Sequence, residues 1–306
     1  MGSSVLIRLP TSVTVEEIHV VNISIQITSL LSIIGCGLNL ALIKHEGIQS
    51  RPIMKIVIAL CVTDIIGCLA SSATTIKAFS NFMCQTLGFF MVLGHTSSVL
   101  FTCCLAHAYK ILRSCQTAKE WEKETSPKIN WYLGISATGA AILSVCAIIV
   151  NLLQKESEYC TLFHQNGGAR DVVVLLFILV IPICCCLYCM YCYGSIVMEQ
   201  GFGGAGRFLL FFYPLILIVC YLPISIFDIL SLLSKVPGSS YLIVVAILIN
   251  AQGLFNACAY GLFSTLYRNC CRRRSVVTLK DPVVYVIVNS DDLSLDDPNS
   301  RRISLV

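Results

Sequence analysis

Charged side chains are scarce in this chain. Only 12% of its 306 residues are Asp, Glu, Lys or Arg, whereas 56% are hydrophobic, and the mean hydropathy is +0.81. A soluble domain contains roughly a quarter charged residues, which cover its surface with water-binding groups. The shortage of charge therefore excludes a soluble globular domain and predicts an integral membrane protein.

Catalytic and phosphate-binding patterns are also missing. The sequence contains no His-Glu-x-x-His, no Gly-x-Ser-x-Gly and no paired aspartates within the apolar runs. The glycine-rich stretch 201–206, Gly-Phe-Gly-Gly-Ala-Gly, does not follow a predicted strand, which a phosphate-binding loop would require. We therefore expect no enzymatic activity and no cofactor.

Long apolar runs fill most of the chain. A helix needs about 20 apolar residues to cross a bilayer, and seven runs reach that length. Polar joints such as 114–128 (SCQTAKEWEKETSPK) separate them. The runs predict an all-α membrane protein with a seven-transmembrane helix bundle. The predicted spans are 20–43, 54–75, 84–112, 129–153, 172–198, 208–233 and 241–266.

Lysine and arginine are distributed unevenly between the runs. If the N-terminus is outside, 16 of the 21 lysines and arginines fall on the inner side. Because cytoplasmic loops are enriched in basic residues, this predicts the N-terminus outside and the C-terminus inside. The predicted parts are a short extracellular N-terminus (1–19), the bundle (20–266) and a mostly disordered cytoplasmic tail (267–306). The net charge of +4 then reflects a basic inner face and no nucleic-acid-binding surface.

A few of the 18 cysteines stand apart from the rest. Cys84 begins the third run on the outer side, and Cys160 is the only cysteine of the second outer loop. Disulfides persist on the oxidising side of a membrane, so we expect these two to be joined. The cluster at 184–192 fits core packing better than metal binding, since no histidine accompanies it. Cys270 and Cys271 directly precede three arginines, which fits S-palmitoylation and two plain thiols equally well.

Three strongly polar residues fall in the inner or middle part of apolar runs. They are Asn39 in span one, Asp64 in span two and Asn256 in span seven. A polar group at membrane depth needs a partner or a cavity. One interpretation is a hydrated switch that rearranges when the bundle changes state, and the other is static hydrogen bonding between helices. We favour the switch.

Several of these features occur together in one family. Residues 220–223, Cys-Tyr-Leu-Pro, resemble the Cys-Trp-x-Pro signature of span six, and 256–260, Asn-Ala-Cys-Ala-Tyr, resemble the Asn-Pro-x-x-Tyr signature of span seven. Together with Asn39, Asp64 and the outer cysteines, the chain over about residues 20–271 resembles a G-protein-coupled receptor. The strings YPLILIVCYLP and QGLFNACAYGLF are similar to the cyclic-AMP-receptor-like group. Residues 107–110, His-Ala-Tyr-Lys, lack the Asp/Glu-Arg-Tyr of rhodopsin-like receptors, which also favours that group.

The resemblance implies a receptor that binds a small extracellular ligand and activates a heterotrimeric G protein. It implies that the inner end of span six swings outward, with Pro223 as a pivot and Tyr221 as the side chain that moves. The alternative is a seven-span ion channel or transporter with Asp64 lining the path. Such proteins usually carry more charges through the bundle or interrupted helices in matched halves. The implied switch residues are Asn39, Asp64, Tyr109, Tyr221, Pro223, Asn256 and Tyr260.

The outer half of the predicted bundle holds a few polar groups among apolar walls, as small-molecule pockets do. Snorkelling toward the lipid headgroups is the favoured interpretation of Lys77. For His95, packing is favoured over proton sensing. The candidate ligand-binding residues are Lys77, His95, Asp228, Asn250 and Gln252.

The polar tail carries short motifs. Ser275 and Ser304 follow arginine pairs, as in basophilic kinase sites, and Ser290 and Ser294 lie among aspartates. All four are candidate phosphorylation sites. The C-terminal Ser304-Leu305-Val306 fits a PDZ-domain ligand, whose terminal carboxylate is captured by the domain. A PDZ protein and membrane lipid are therefore further expected partners.

Overall fold

The computed structural model describes residues 15–45, 47, 52–76, 80–114, 118–149, 153–156, 159–162, 180–200, 205–232 and 239–259. These residues form eight helices and one antiparallel β-hairpin. The helices are α1 (Val15–His45), α2 (Pro52–Thr74), α3 (Asn81–Ser114), α4 (Ala118–Ile149), α5 (Ile181–Gln200), α6 (Ala205–Leu232), α7 (Ser239–Asn250) and α8 (Gln252–Ala257), and the strands are β1 (Leu153–Glu156) and β2 (Tyr159–Leu162).

Four of the described helices are long and apolar enough to cross a membrane. Their apolar segments are His19–His45, Ile53–Thr74, Asn81–Ala108 and Ser126–Ile149. Three shorter apolar segments, Ile181–Ser195, Leu215–Phe227 and Ser240–Asn250, lie in α5, α6 and α7. Large apolar side chains also cover the outside, as shown by Leu38 and Ile142, which are 62% and 59% exposed. The predicted membrane-embedded helical fold is confirmed in this general form.

Helix α3 lies at the centre of the bundle, where it packs against α2, α4, α5 and α6. Helix α1 packs against α2, α7 and α8. Helices α2 and α3 approach each other closely at Gly67 and Gly94. A Cβ atom at Gly94 would lie 2.4 Å from the backbone N of Gly67 and 2.8 Å from the carbonyl oxygen of Thr63. Small residues permit such contact between membrane helices, because lipid supplies no hydrophobic force to bring the helices together.

The structure adds two details to the predicted joints. The polar joint 114–128 separates the apolar segments as predicted, and it is helical over most of its length, because α4 begins at Ala118 while its apolar segment begins at Ser126. The stretch AKEWEKE is rich in strong helix formers, which extend the helix beyond the apolar segment. The joint between the predicted spans four and five contains the hairpin β1–β2, in which Lys155 pairs with Cys160.

A disulfide attaches this hairpin to the N-terminal end of α3. Cys84 and Cys160 are bonded, with their Cα atoms 5.3 Å apart, and both side chains are fully buried. Both strands pack against α3. The loop is therefore pinned to the bundle, as the positions of the two cysteines predicted.

Replacing both cysteines by serine is expected to lower the free energy of unfolding by about 3–4 kcal/mol, because the bond closes a long loop in the unfolded chain. The two residues are 76 positions apart. Thermal unfolding in detergent micelles measures the effect, with the lipid-facing Cys184→Ser as the control, which should leave the Tm unchanged. A double variant as stable as this control would show that the disulfide does not stabilise the bundle.

Candidate functional site

The helix that forms the seventh predicted span is interrupted at Ala251, where α7 ends and α8 begins. The Ser32 hydroxyl of α1 donates a hydrogen bond to the carbonyl of Asn250 at 2.5 Å and accepts one from the N–H of Leu254 at 3.2 Å. In a regular α-helix these two backbone groups would bond to each other. Ser32 is thus inserted into one backbone bond of the helix, which is a known cause of a local bend.

Further side chains from α1 and α2 surround the interruption. Cys36 donates to the carbonyl of Gly253 at 3.5 Å, and Ser29 donates to the side-chain oxygen of Asn250 at 3.2 Å. A Cβ atom at Gly253 would lie 3.1 Å from the Cβ of Asp64. The interrupted helix is therefore held tightly against α1 and α2, with α8 facing Asp64.

Five buried polar side chains follow one another through the centre of the bundle, and we call them the polar chain: Tyr221, Gln252, Ser98, Asp64 and Asn256. The Tyr221 hydroxyl donates to Oε1 of Gln252 at 2.9 Å, and Nε2 of Gln252 donates to the Ser98 hydroxyl at 3.0 Å. Nδ2 of Asn256 donates to Oδ2 of Asp64 at 3.0 Å, and Ser98 lies next to the Asp64 carboxylate without a direct hydrogen bond to it. The polar chain thereby connects α6, α8, α3 and α2.

Asp64 is buried from solvent, and the side chains next to it are uncharged. The side chain is 3% exposed, and every member of the polar chain is at most 3% exposed. Within the described part of the chain, Asp64 accepts a hydrogen bond from Nδ2 of Asn256, whereas Oδ1 of Asn256 is buried without a partner. A carboxyl group at membrane depth is costly and depends strongly on such partners. Any movement of α3 or α8 therefore changes the free energy of this group.

Asn39 lies beside the polar chain. Its Nδ2 donates to the carbonyl of Ala257 at 3.3 Å, so it bonds α1 to α8. Asp64 and Asn256 are joined directly, whereas Asn39 reaches the residue that follows Asn256. The three polar residues identified from the sequence thus all make contact at α8. Ser98 and Ser32 also bond to α8, through Gln252 and Leu254.

Three of the candidate ligand-binding residues are engaged between helices. His95 is 4% exposed, its Nε2 lies 3.2 Å from the Ser71 hydroxyl, and its carbonyl accepts from the Tyr221 hydroxyl at 3.4 Å. Asn250 and Gln252 are 2% and 1% exposed. These three side chains are buried and bond to neighbouring helices, so they do not face an open pocket in the described state.

The remaining predicted residues are only partly described. Helix α6 continues through Pro223, whose carbonyl accepts from the Tyr241 hydroxyl at 2.6 Å. The backbones of Tyr109 and Asp228 lie within α3 and α6, and their side chains fall outside what the structure describes. Outside the described residues altogether are Lys77, Tyr260, Cys270, Cys271, Ser275, Ser290, Ser294 and the C-terminal Ser304-Leu305-Val306.

Three cysteines of the apolar segments meet between α3 and α5: Cys103, Cys185 and Cys189. The sulfur of Cys103 is 3.8 Å from that of Cys189 and donates to the carbonyl of Cys185 at 3.5 Å. Within the described part of the chain, no group of three or more His, Cys, Asp or Glu side chains is arranged to hold a metal ion. The contacts are those of buried thiols that pack two helices together.

Ser32→Ala is expected to lower the free energy of unfolding by about 1 kcal/mol, because two buried backbone groups lose their shared partner. Ser24→Ala is the control, since its hydroxyl bonds within α1 to the carbonyl of Val20 at 2.8 Å. Thermal unfolding of both variants measures the difference. Equal stability would show that Leu254 and Asn250 simply restore their direct bond and that Ser32 does not maintain the interruption.

No protein-family profile matches the chain, and no curated protein matches it either. Function is therefore inferred from the geometry of the polar chain and from the motifs that carry the family resemblance.

Proposed function

We propose that this chain is a seven-span receptor of the plasma membrane, with the N-terminus outside and the C-terminus inside. It binds a small extracellular ligand in the outer half of the bundle and activates a heterotrimeric G protein. The observation that carries this proposal is the polar chain, because it bonds Tyr221 of α6 to Gln252 of α8 and, through Gln252, to Ser98 of α3, and α6 packs against both of these helices. The segments 220–223 and 256–260, which resemble receptor signatures, contribute Tyr221 and Asn256 to it.

The seven-span arrangement draws on the four full-length apolar helices and the three shorter ones. Helices α7 and α8 together make the last span. The surplus of lysine and arginine on the inner side supports an orientation with the N-terminus outside and the C-terminus inside. A disulfide between α3 and the hairpin loop fits an extracellular position, where such bonds persist.

The polar chain has the energetics that a switch requires. Within the chain, Tyr221 holds α6 through its bond to Gln252, supplemented by a long contact to the carbonyl of His95. A single buried hydrogen bond contributes about 1 kcal/mol net. Ligands typically shift coupled equilibria by about 1–3 kcal/mol. A ligand in the outer half can therefore supply enough free energy to release α6, while the unliganded state stays intact.

One observation favours the second candidate, an ion channel or transporter. Interrupted helices next to a buried carboxylate form ion sites in many transporters, and the α7–α8 interruption faces Asp64. Transporters built from repeats carry such interruptions in matched pairs, and no internal repeat is apparent in this sequence. The receptor is the better supported candidate.

The test is guanine-nucleotide exchange in lipid vesicles that contain the full-length chain and one Gα subunit at a time, with Gβγ present. We expect faster GDP release from at least one Gα than in vesicles without the chain. Ion flux is recorded in the same preparation. Flux that is lost in Asp64→Asn, with no exchange on any Gα, would overturn the receptor proposal in favour of transport.

A further inference from the structure

A cation–aromatic pair lies where the apolar segment of α3 ends. Lys110 follows the segment Asn81–Ala108 by two residues, and its Nζ lies 4.2 Å from the ring centroid of Tyr191 on α5. Tyr191 is 61% exposed on the outside of the bundle. Lys110 is thus held at the membrane boundary beside an exposed aromatic ring, a geometry worth about 0.5–1 kcal/mol at exposed sites.

The neighbouring side chains fix this pair in place. Nδ1 of His107 is hydrogen-bonded to the hydroxyl of Tyr188, and the two rings stack with their centroids 6.0 Å apart. The ring of Tyr132 on α4 meets His107 edge-on at 5.1 Å. Three helices therefore contribute to one aromatic platform next to Lys110.

Two lysines lie near the platform. Both Lys110 and Lys128 lie close enough to His107 for their charges to act on its ring. Lys128 has another contact of its own. Lys110 is therefore the cation that we assign to a ligand, and Lys128 contributes only a background field.

An apolar track on α5 leads to this cation. Ile183, Leu187 and Tyr191 follow one another at four-residue intervals and are 42%, 66% and 61% exposed. Residues at this spacing lie on one face of a helix. The track runs along the lipid-facing surface and ends at the lysine, which matches an acyl chain below a charged headgroup.

We propose that this surface binds an anionic phospholipid of the inner leaflet. The phosphate contacts Lys110 beside Tyr191, and an acyl chain lies along Leu187 and Ile183. Basic positions between membrane helices on the cytoplasmic side are suited to anionic headgroups. The proposal rests on the proposed orientation, with the C-terminus inside, and does not depend on G-protein coupling.

Trp131 provides the probe for the test, because it is 70% exposed on α4, one residue before Tyr132. In a full-length chain carrying Trp121→Phe it is the only tryptophan. Its fluorescence is measured in nanodiscs of phosphatidylcholine that contain a small fraction of brominated phosphatidylserine or, separately, of brominated phosphatidylcholine. Greater quenching by the anionic lipid reports its enrichment at this surface.

We expect about fivefold enrichment of the anionic lipid, the effect of one basic residue at an anionic surface. Lys110→Gln and Tyr191→Leu should abolish it, and Lys110→Arg should keep it. Lys55→Gln is the matched control, since Lys55 is a half-buried lysine at the corresponding end of α2. No enrichment in the parent chain, or the same enrichment in Lys110→Gln, Tyr191→Leu and Lys55→Gln, would overturn the proposal. The three variants with separate chemistry keep the test informative if one of them does not fold.

Discussion

Replacing Gly94 with alanine is expected to lower the free energy of unfolding by about 3 kcal/mol, because the new methyl group would overlap a neighbouring helix. The atoms it would meet, the backbone N and Cα of Gly67 at 2.4 and 2.5 Å, belong to the backbone of α2. A flexible side chain can rotate away from a new methyl group, whereas a helix backbone has to move as a whole. The two helices would separate, and their other contacts would be lost.

Gly134→Ala is the matched control for this prediction. Gly134 also lies within a membrane helix, and a Cβ atom there would have no neighbour within 4 Å. Because alanine favours a helix over glycine by about 1 kcal/mol, this variant should be as stable as the parent or more stable. Thermal unfolding in micelles compares the two. Similar Tm values for both variants would contradict the close contact between α2 and α3.

Gln252→Leu is expected to change basal guanine-nucleotide exchange by about tenfold, the factor that corresponds to 1.4 kcal/mol. Gln252 holds two hydrogen bonds of the polar chain, one to Tyr221 and one to Ser98. Leucine has a similar size and keeps neither bond. Since the bonds hold α6 against the bundle in the described state, their loss should favour its release, and basal exchange should rise.

Gln26→Leu provides the control for that experiment. Gln26 also bonds two helices, through Nε2 to the Thr75 hydroxyl at 2.8 Å, but it lies outside the polar chain. Its replacement should alter exchange by less than about twofold, because only one partly buried bond is lost. Equal effects of the two substitutions would show that Gln252 acts as one packing contact among many. A tenfold fall in Gln252→Leu would instead assign the polar chain to the active state.

The general fold follows from composition, because a bilayer requires long apolar helices and this chain has little else. Details that depend on contacts between helices cannot be derived from the composition. Gly67 and Gly94 lie in apolar runs where glycine has no local role, and only the packed bundle shows that each makes room for the other. The start of α4 does not follow from hydropathy either. Its first residues are polar but are strong helix formers, so hydropathy marks the membrane boundary and not the helix boundary.

The candidate site was predictable in part. Asp64 and Asn256 were identified because polar residues at membrane depth need partners, and they are each other's partners. Gln252 was assigned to a ligand pocket from its position along the helix, whereas the interruption at Ala251 places it between Tyr221 and Ser98. The signal for that interruption is Asn-Ala-Gln-Gly inside an apolar run (250–253). Ser32 carried no signal, since a serine in a membrane helix commonly bonds within its own helix.

The most direct test of the polar chain as a switch is a double-mutant cycle on the rate of GDP release, using Tyr221→Phe and Asp64→Asn. The two side chains have no direct bond: Tyr221 bonds to Gln252, Gln252 bonds to Ser98, and Ser98 lies next to Asp64. We predict a coupling energy of about 1 kcal/mol, because both substitutions act on one buried polar cluster whose members contact one another. A cycle between Tyr221→Phe and Ser24→Ala should be additive. A coupling energy between Tyr221 and Asp64 as small as in that control cycle would contradict the switch.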